Sequence, residues 1–247
     1  MGFFSTAAGL PLANIMFQTF WISDGVGKFI VLTLLAASVV AWTIMFAKHA
    51  ELRKVERADQ AFERAFQRQG NPLEMYVHGS EHPHSPMAQV YEAACDAVKR
   101  EFTVRAHKQH RPIGQIDLSE EKLTALQIDA IRKVAECAAA DRILQIERQM
   151  ALLGSTYTVA PMMGLFGTVW GVMVSFNAMG AEGAANLSAV APGISSAMLT
   201  TVIGLLVAIP SAIGSNLLNE KIRIVGVQLE NFADKFAARL QQAFLYE

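Results

Sequence analysis

Charged and apolar positions segregate along this chain instead of alternating. Residues 149–181 and 183–219 are uncharged runs of 33 and 37 residues separated only by Glu182, and 29–47 is a third uncharged run of 19. A helix rising about 1.5 Å per residue needs roughly 20 apolar residues to cross ~30 Å of hydrocarbon. A charge at the centre of such a helix costs about 2.5 to 3.5 kcal/mol on insertion scales, so runs this clean are built for lipid. The pattern predicts an all-α integral membrane protein with three transmembrane helices that extend into a cytoplasmic helical domain.

Between the spans the pattern changes to an amphipathic one. Leu52, Val55, Ala58, Phe62 and Phe66 recur at steps of three and four, so the first helix is expected to continue until Gly70 and Pro72. A loop from Gly70 to Pro86 follows, then a helix from Met87 to about His110 that Pro112 and Gly114 stop. A further helix is expected to start near Ser119, which can cap a first turn carrying Glu120 and Glu121. No breaker intervenes before Gly154, so this helix is expected to enter the second span as one continuous rod. Residues 1–23 alternate apolar with small polar residues and carry Trp21, which suits a short helix on the outer membrane surface, joined to the first span through Gly25 and Gly27. No segment outside the spans shows the period-two alternation of a strand. The expected organisation is a periplasmic amphipathic segment (1–24), a first span (25–47), a cytoplasmic helical domain (48–149), a second span (150–181), a short periplasmic loop (182–192), a third span (193–219) and a cytoplasmic C-terminal helix (220–247).

Charge placement sets the expected orientation. Lys48, Arg53, Lys54 and Arg57 follow the first span, Arg142 and Arg148 precede the second, and Lys221 and Arg223 follow the third, whereas no Lys or Arg precedes Lys28. Positive residues stay inside, which puts the N-terminus outside and the C-terminus in the cytoplasm. The block from Lys48 to Arg148 holds 16 of the 21 basic and 16 of the 22 acidic residues, so it is neutral and gives no reason to expect a nucleic-acid partner. Met1 to Ser23 carries no charged side chain and lacks the basic start of a cleaved signal, so it is expected to stay attached. Gly2 with Thr6 fits a myristoylation pattern formally, but that modification needs a cytosolic Gly2, against the charge bias. Cys95 and Cys137 fall in the cytoplasmic block, where thiols stay reduced, and read as ordinary apolar helix residues.

The candidate chemistry lies in the later spans. Ala160, Gly164, Thr168, Gly171 and Ser175 recur at helical spacing, with Gly167 and Gly171 forming a small-xxx-small pair. Ala197, Thr201, Gly204, Ala208, Ser211 and Ser215 make a matching stripe. Such stripes let backbones approach closely in lipid, where packing and hydroxyl hydrogen bonds replace the hydrophobic drive. Packing of the second span on the third accounts for part of this. The mid-stripe hydroxyls Thr168 and Thr201, with Ser195, Ser196 and Thr200 nearby, are candidates for a pore or a partner helix, against the alternative that they bond their own helix's carbonyls. No span carries an Asp, Glu, His, Lys or Arg in its interior, so a proton relay would need a carboxylate from another polypeptide. His78, His82 and His84 have a spacing a metal could use, yet Gly79 and two prolines favour a solvated loop. No phosphate loop, nucleophile elbow or zinc-helix motif appears, so neither an enzyme nor a cofactor is expected.

The run from Gly164 to Met173 (Gly-Leu-Phe-Gly-Thr-Val-Trp-Gly-Val-Met), the Val-Ala-Pro-Gly-Ile run from Val190 to Ile194, and the run from Thr201 to Pro210 closely resemble the TolQ/ExbB family, related more distantly to the flagellar stator protein MotA. The resemblance implies a homopentamer around a central pore, holding two transmembrane helices of a TolR/ExbD-like partner whose single Asp carries the proton, with a TolA/TonB-like protein as a further partner. It implies pore-lining roles for Thr168 and Thr201; Ser196 and Thr200 are candidates beside them, the stripes give packing roles to Gly164, Gly167, Gly171, Ala197, Gly204 and Ala208, and Pro192 and Pro210 are expected as structural prolines of the third span. Many members carry Glu where this chain has Ser196, so an acidic contact common in the family is absent. The short N-terminal segment and the Ala-Phe-Glu-Arg-Ala-Phe run from Ala61 lean toward the TolQ branch. The expected function is conversion of proton-motive force into work on the cell envelope, of Tol-Pal type. An ExbB-type energiser of outer-membrane uptake, a passive membrane scaffold and a self-sufficient ion channel are the alternatives.

Overall fold

The computed structural model describes residues 12–78, 84–108, 122–182 and 187–245. Among these the chain forms helices α1 (Leu12–Ile22), α2 (Gly25–Gln67), α3 (Glu74–His78), α4 (Pro86–Lys108), α5 (Ala125–Glu147), α6 (Met150–Glu182) and α7 (Leu187–Phe244). The described residues hold no strand, only an isolated bridge between Leu123 and Leu245, where the Leu123 N–H donates to the Phe244 carbonyl at 2.7 Å. The fold is all-α, and three of its helices, α2, α6 and α7, are long and apolar enough to cross a membrane.

Several boundaries differ from the sequence expectation. The rod expected to run unbroken into the second span is interrupted: α5 ends at Glu147 and α6 begins at Met150. Arg148 keeps right-handed helical angles (φ −49°, ψ −33°), so the interruption lies in the hydrogen-bond ladder, and neither glycine nor proline marks it. The start expected near Ser119 lies outside the described residues. The described helix is capped by Thr124, whose hydroxyl accepts from the Gln127 N–H at 3.3 Å while the Gln127 side chain accepts from the Thr124 N–H at 3.0 Å. That reciprocal pair satisfies two otherwise orphan donors. The stretch from Gly70 to Pro86 contains the short helix α3, and α7 begins at Leu187, inside the segment expected as loop.

The chain divides into two compact units, one of residues 1–47 and 149–217, the other of 48–148 and 218–247. In the first, Ile30, Val31 and Leu34 of α2 pack with Ala160 of α6 and with Leu199, Ile203, Val207 and Ala208 of α7, and Met16 and Phe20 of α1 lie against this cluster. The same helices leave Phe29, Leu35, Val39, Leu165, Val169 and Leu206 exposed. An apolar outer surface of this extent suits hydrocarbon or neighbouring helices rather than water. Outward hydroxyls are satisfied within their own helix, as where Thr33 donates to the Phe29 carbonyl at 2.9 Å and Thr158 to Gly154 at 3.0 Å. A hydroxyl so bonded can face lipid at little cost.

The second unit is built on aromatic packing. Phe62 and Phe66, one helical turn apart on α2, meet Tyr91 of α4 and Phe232 and Phe236 of α7 at ring separations of 5.2 to 6.2 Å. The Tyr91 hydroxyl donates to the Pro72 carbonyl at 2.9 Å and accepts from the Tyr76 N–H at 3.1 Å, which ties the 70–76 turn to α4. Arg239 donates to the Phe66 carbonyl at 2.8 Å with its guanidinium 4.6 Å from the Phe66 ring centre, so it supplies donors for the open C-terminus of α2. Cys95 is buried in this unit and burial pushes its thiol up, as expected of an inert apolar position, whereas Cys137 is exposed on α5. His78 closes α3, His84 is exposed, and His82 lies outside the described residues.

Asp59 is a buried acid inside the second unit. Its Oδ1 accepts from the Ser85 hydroxyl and from the Met87 N–H at 3.1 Å, while Ser85 accepts from the Ala88 N–H at 3.0 Å, so the first turn of α4 is capped by two side chains in series. Its Oδ2 is buried without a hydrogen-bond partner. Burial raises the Asp59 carboxyl above its ordinary value, opposed by the Ser85 and Met87 bonds and reinforced by nearby Glu63. A group raised in the folded state stabilises most when protonated, and that contribution fades as pH rises through the folded value. Amide exchange in the first turn of α4 is therefore expected to become better protected as pH falls from neutrality, after correction for intrinsic exchange. Asp59→Asn, which keeps the acceptor oxygen, is expected to flatten that dependence. Equal pH dependence in both proteins would remove Asp59 as its source.

Candidate functional site

The two small-residue stripes face each other within the first unit. A Cβ on Gly204 of α7 would lie 2.7 Å from the Ala160 carbonyl oxygen and 3.2 Å from Gly164 Cα, both backbone atoms. A Cβ on Gly164 would meet the Thr200 oxygen and Thr201 Cα at 3.0 Å, and one on Gly171 would meet Ala197 Cβ at 2.7 Å. A Cβ on Gly167 would collide with the Thr200 side chain. Ala160, Gly164, Gly171 and Ser175 of α6 are buried, as are Ala197, Gly204, Ala208, Ser211 and Ser215 of α7. Each missing side chain on one helix makes room for backbone or side-chain atoms of the other.

This approach converges two hydroxyls of α7 on one carbonyl of α6. Thr201 donates to the Gly164 oxygen at 2.9 Å and Thr200 lies 3.2 Å from the same oxygen, with the Ala197 carbonyl closer at 2.6 Å. Thr168 donates to the Leu165 carbonyl at 2.7 Å. The Thr201 and Thr168 hydroxyl oxygens are 3.5 Å apart, longer than the Thr201 bond to Gly164. A threonine hydroxyl has one proton to give, so both protons are engaged by carbonyls and the lone pairs are the capacity left over.

The candidates therefore separate into two sets. Thr168 and Thr201 come together and are partly exposed, whereas Thr200 and Ser196 are buried, Thr200 at 1% exposure. Ser196 donates to the Gly193 carbonyl of its own helix at 2.9 Å. Pro192 is exposed in the first turns of α7 and Pro210 lies within it; Pro161 sits likewise inside α6. The sequence reading missed Gly193, which continues the α7 stripe: a Cβ there would collide with the Ser175 hydroxyl. It also missed Asp24, whose Oδ2 accepts from the Trp170 indole N–H at 2.7 Å. Their signals were the Pro-Gly step at the expected start of the third span and a lone acid before the first span.

Fold and site together define a multi-pass helical membrane protein whose second and third spans meet through glycines around a pair of threonines. The model of the MotA/TolQ/ExbB proton channel family matches residues 96–231. The chain is similar to the Tol-Pal system protein TolQ of Pseudomonas aeruginosa, at 30% identity over 87% of each chain, and to that of Haemophilus influenzae, at 28% over 88% of this chain and 90% of the relative. It is also similar to the biopolymer transport protein ExbB of Pseudomonas putida, at 31% identity over 81% of this chain and 55% of the relative. The chain belongs to the MotA/TolQ/ExbB proton channel family, which by that description is a family of membrane channels rather than of enzymes.

Proposed function

We propose that this chain is the ring-forming subunit of a proton-driven motor in the bacterial inner membrane. Five copies would enclose a pore and hold two helices of a TolR/ExbD-like single-span partner, whose Asp carries the proton that this chain's spans lack. Residues 1–24 and 182–192 would lie in the periplasm, and 48–149 and 220–247 in the cytoplasm. Protons moving down a potential release about 2.3 kcal/mol per charge per 100 mV, which would turn ring and partner against each other and act on the cell envelope, through a TolA/TonB-like protein.

The observation that carries this reading is the Thr168–Thr201 pair on an otherwise uncharged seam. With both hydroxyl protons engaged by carbonyls, the pair offers acceptors to a protonated carboxylic acid. To receive the deprotonated acid, each hydroxyl swings its proton off a carbonyl, a rotation that costs far less than moving a charge through hydrocarbon. The site thus tells the two protonation states of a visiting acid apart without holding charge itself.

Thr168→Val and Thr201→Val keep shape and remove the hydroxyl. Each is expected to reach the membrane at normal level and to fail to restore envelope integrity in cells lacking the native copy, with immunoblotting as the control for level. Normal complementation by both would refute the pore-lining assignment. The passive-scaffold alternative predicts function that survives an uncoupler, and a self-sufficient channel predicts proton flux from the purified ring alone in liposomes. Between the two energiser roles, the extent of similarity along this chain supports the Tol-Pal type: the TolQ relatives match over 87% and 88% of it, ExbB from Pseudomonas putida and Salmonella typhimurium over 81%.

A further inference from the structure

α6 is held from two sides. Its glycines seat it on α7, and its Trp170 indole N–H donates to Asp24 Oδ2 at 2.7 Å. Asp24 immediately precedes α2, and its other oxygen, Oδ1, accepts from the Gly27 N–H at 2.9 Å, the bond of a helix N-cap. The Asp24 carbonyl accepts from the Lys28 N–H at 3.0 Å, which starts the α2 ladder. One carboxyl group therefore starts α2 with one oxygen and grips α6 with the other.

The local sequence clears space for this. A Cβ on Gly27 would lie 2.9 Å from Asp24 Oδ1 and collide with the hydroxyl of buried Ser23. Only a bare backbone there lets the carboxyl group sit where both bonds form. At about 100° per residue, Trp170 and Thr168 lie roughly 200° apart around α6. The indole bond and the threonine hydroxyl therefore act on nearly opposite sides of one helix, two residues apart. Turning α6 about its axis breaks the indole bond and carries Thr168 away from Thr201.

The geometry points to Asp24 as a positioning residue, which together with Gly27 and Trp170 fixes the rotation of α6 and so the pairing of Thr168 with Thr201. The inference rests on the reading of those threonines given above. Asp24 touches no transferred proton in this scheme; it acts through Trp170.

The test uses the full-length protein in the same complementation assay. Trp170→Phe keeps the aromatic bulk and loses only the N–H. Asp24→Ser keeps a short N-cap for Gly27 and cannot reach the indole. Each is expected to lower function roughly tenfold at unchanged membrane level, the scale of one lost charge-assisted hydrogen bond. The double variant is expected to be no worse than either single one, Asp24→Asn, with one acceptor oxygen for two N–H donors, to recover function only in part, and Gly27→Ala to reproduce the loss. In a protein whose only tryptophan is Trp170 (Trp21→Phe, Trp42→Phe), the hydrogen-bond-sensitive indole band in ultraviolet resonance Raman is expected to shift on adding Asp24→Ser. An unmoved band, or wild-type function in Trp170→Phe and Asp24→Ser while Thr168→Val is dead, would overturn the inference. Loss in Trp170→Phe with both threonine variants functional would instead uphold the clasp and refute the threonine assignment.

Discussion

Gly204→Val is expected to abolish accumulation of the folded protein in the membrane, whereas Gly180→Ala is expected to leave it unchanged. The difference is what each new side chain meets. At Gly204 even the first added carbon falls 2.7 Å from the Ala160 carbonyl and 3.2 Å from Gly164 Cα, and neither can rotate away because both are backbone. At Gly180 nothing lies within 4 Å. Overpacking a closed contact costs about 1 to 3 kcal/mol, occasionally more, and two further methyl groups at Gly204 deepen the conflict. In lipid the loss is not softened by a hydrophobic drive that would press the helices together anyway. Separating α6 from α7 also takes Thr201 from the Gly164 carbonyl, so a folded residue of Gly204→Val is expected to lack energised function. Membrane level by immunoblot and complementation read the two effects. Wild-type levels of Gly204→Val would mean the seam is not as close as described.

The glycine spacing made that seam legible before any coordinates. Periodicity places Gly164, Gly171, Ala197 and Gly204 on facing stripes, and those stripes do pack together. What periodicity does not supply is which of two adjacent threonines remains accessible. Thr200 and Thr201 differ by one residue, about 100° of rotation, and that angle puts Thr200 inside the α6–α7 contact at 1% exposure while Thr201 stays partly exposed. The rotation of a helix against its neighbour depends on the sum of its packing contacts, which no local pattern encodes. The Asp24–Trp170 bond was unreadable for a related reason: it joins residues 146 apart in sequence, and an acid beside a predicted span reads first as an ordinary boundary residue.

Helix ends were legible where the chain breaks itself chemically and unreadable elsewhere. Gly70 and Pro72 lie just beyond the end of α2 at Gln67, and Pro86 opens α4. The break between Glu147 and Met150 carries neither residue type, and the chain there passes from charged to charge-free composition without any change in helix propensity. The early start of α7 is similar: residues up to Pro192 were read as loop, but the helix begins at Leu187 and carries on through Pro192 at the cost of one ladder hydrogen bond.

The amphipathic pattern after the first span was equally informative, and it carries the second large effect. Phe62→Ala is expected to destabilise the second unit by about 3 to 5 kcal/mol, the usual range for deleting a buried aromatic ring. Phe62 has no exposed surface, and its ring lies 5.6 Å from Tyr91 and 5.7 Å from Phe232, so removing it leaves a cavity bounded by α2, α4 and α7. Those neighbours are themselves committed. Tyr91 is tied to the Pro72 carbonyl, and the ring of Phe66 is covered by Arg239, which also donates to the Phe66 carbonyl. Tyr91 therefore cannot collapse into the space without giving up its hydrogen bonds, which places the expected cost toward the upper end. A chain of two units need not unfold in one step, so a single melting temperature would blend them. Amide exchange across residues 86–102 in the detergent-solubilised full-length protein reads the unit directly, and Phe62→Ala is expected to speed exchange there by roughly three orders of magnitude or slightly more, about 1.4 kcal/mol for each tenfold. Phe62→Leu, which refills most of the volume, is expected to recover the larger part. Protection equal to wild type in Phe62→Ala would mean that the aromatic cluster does not hold α4 to α2.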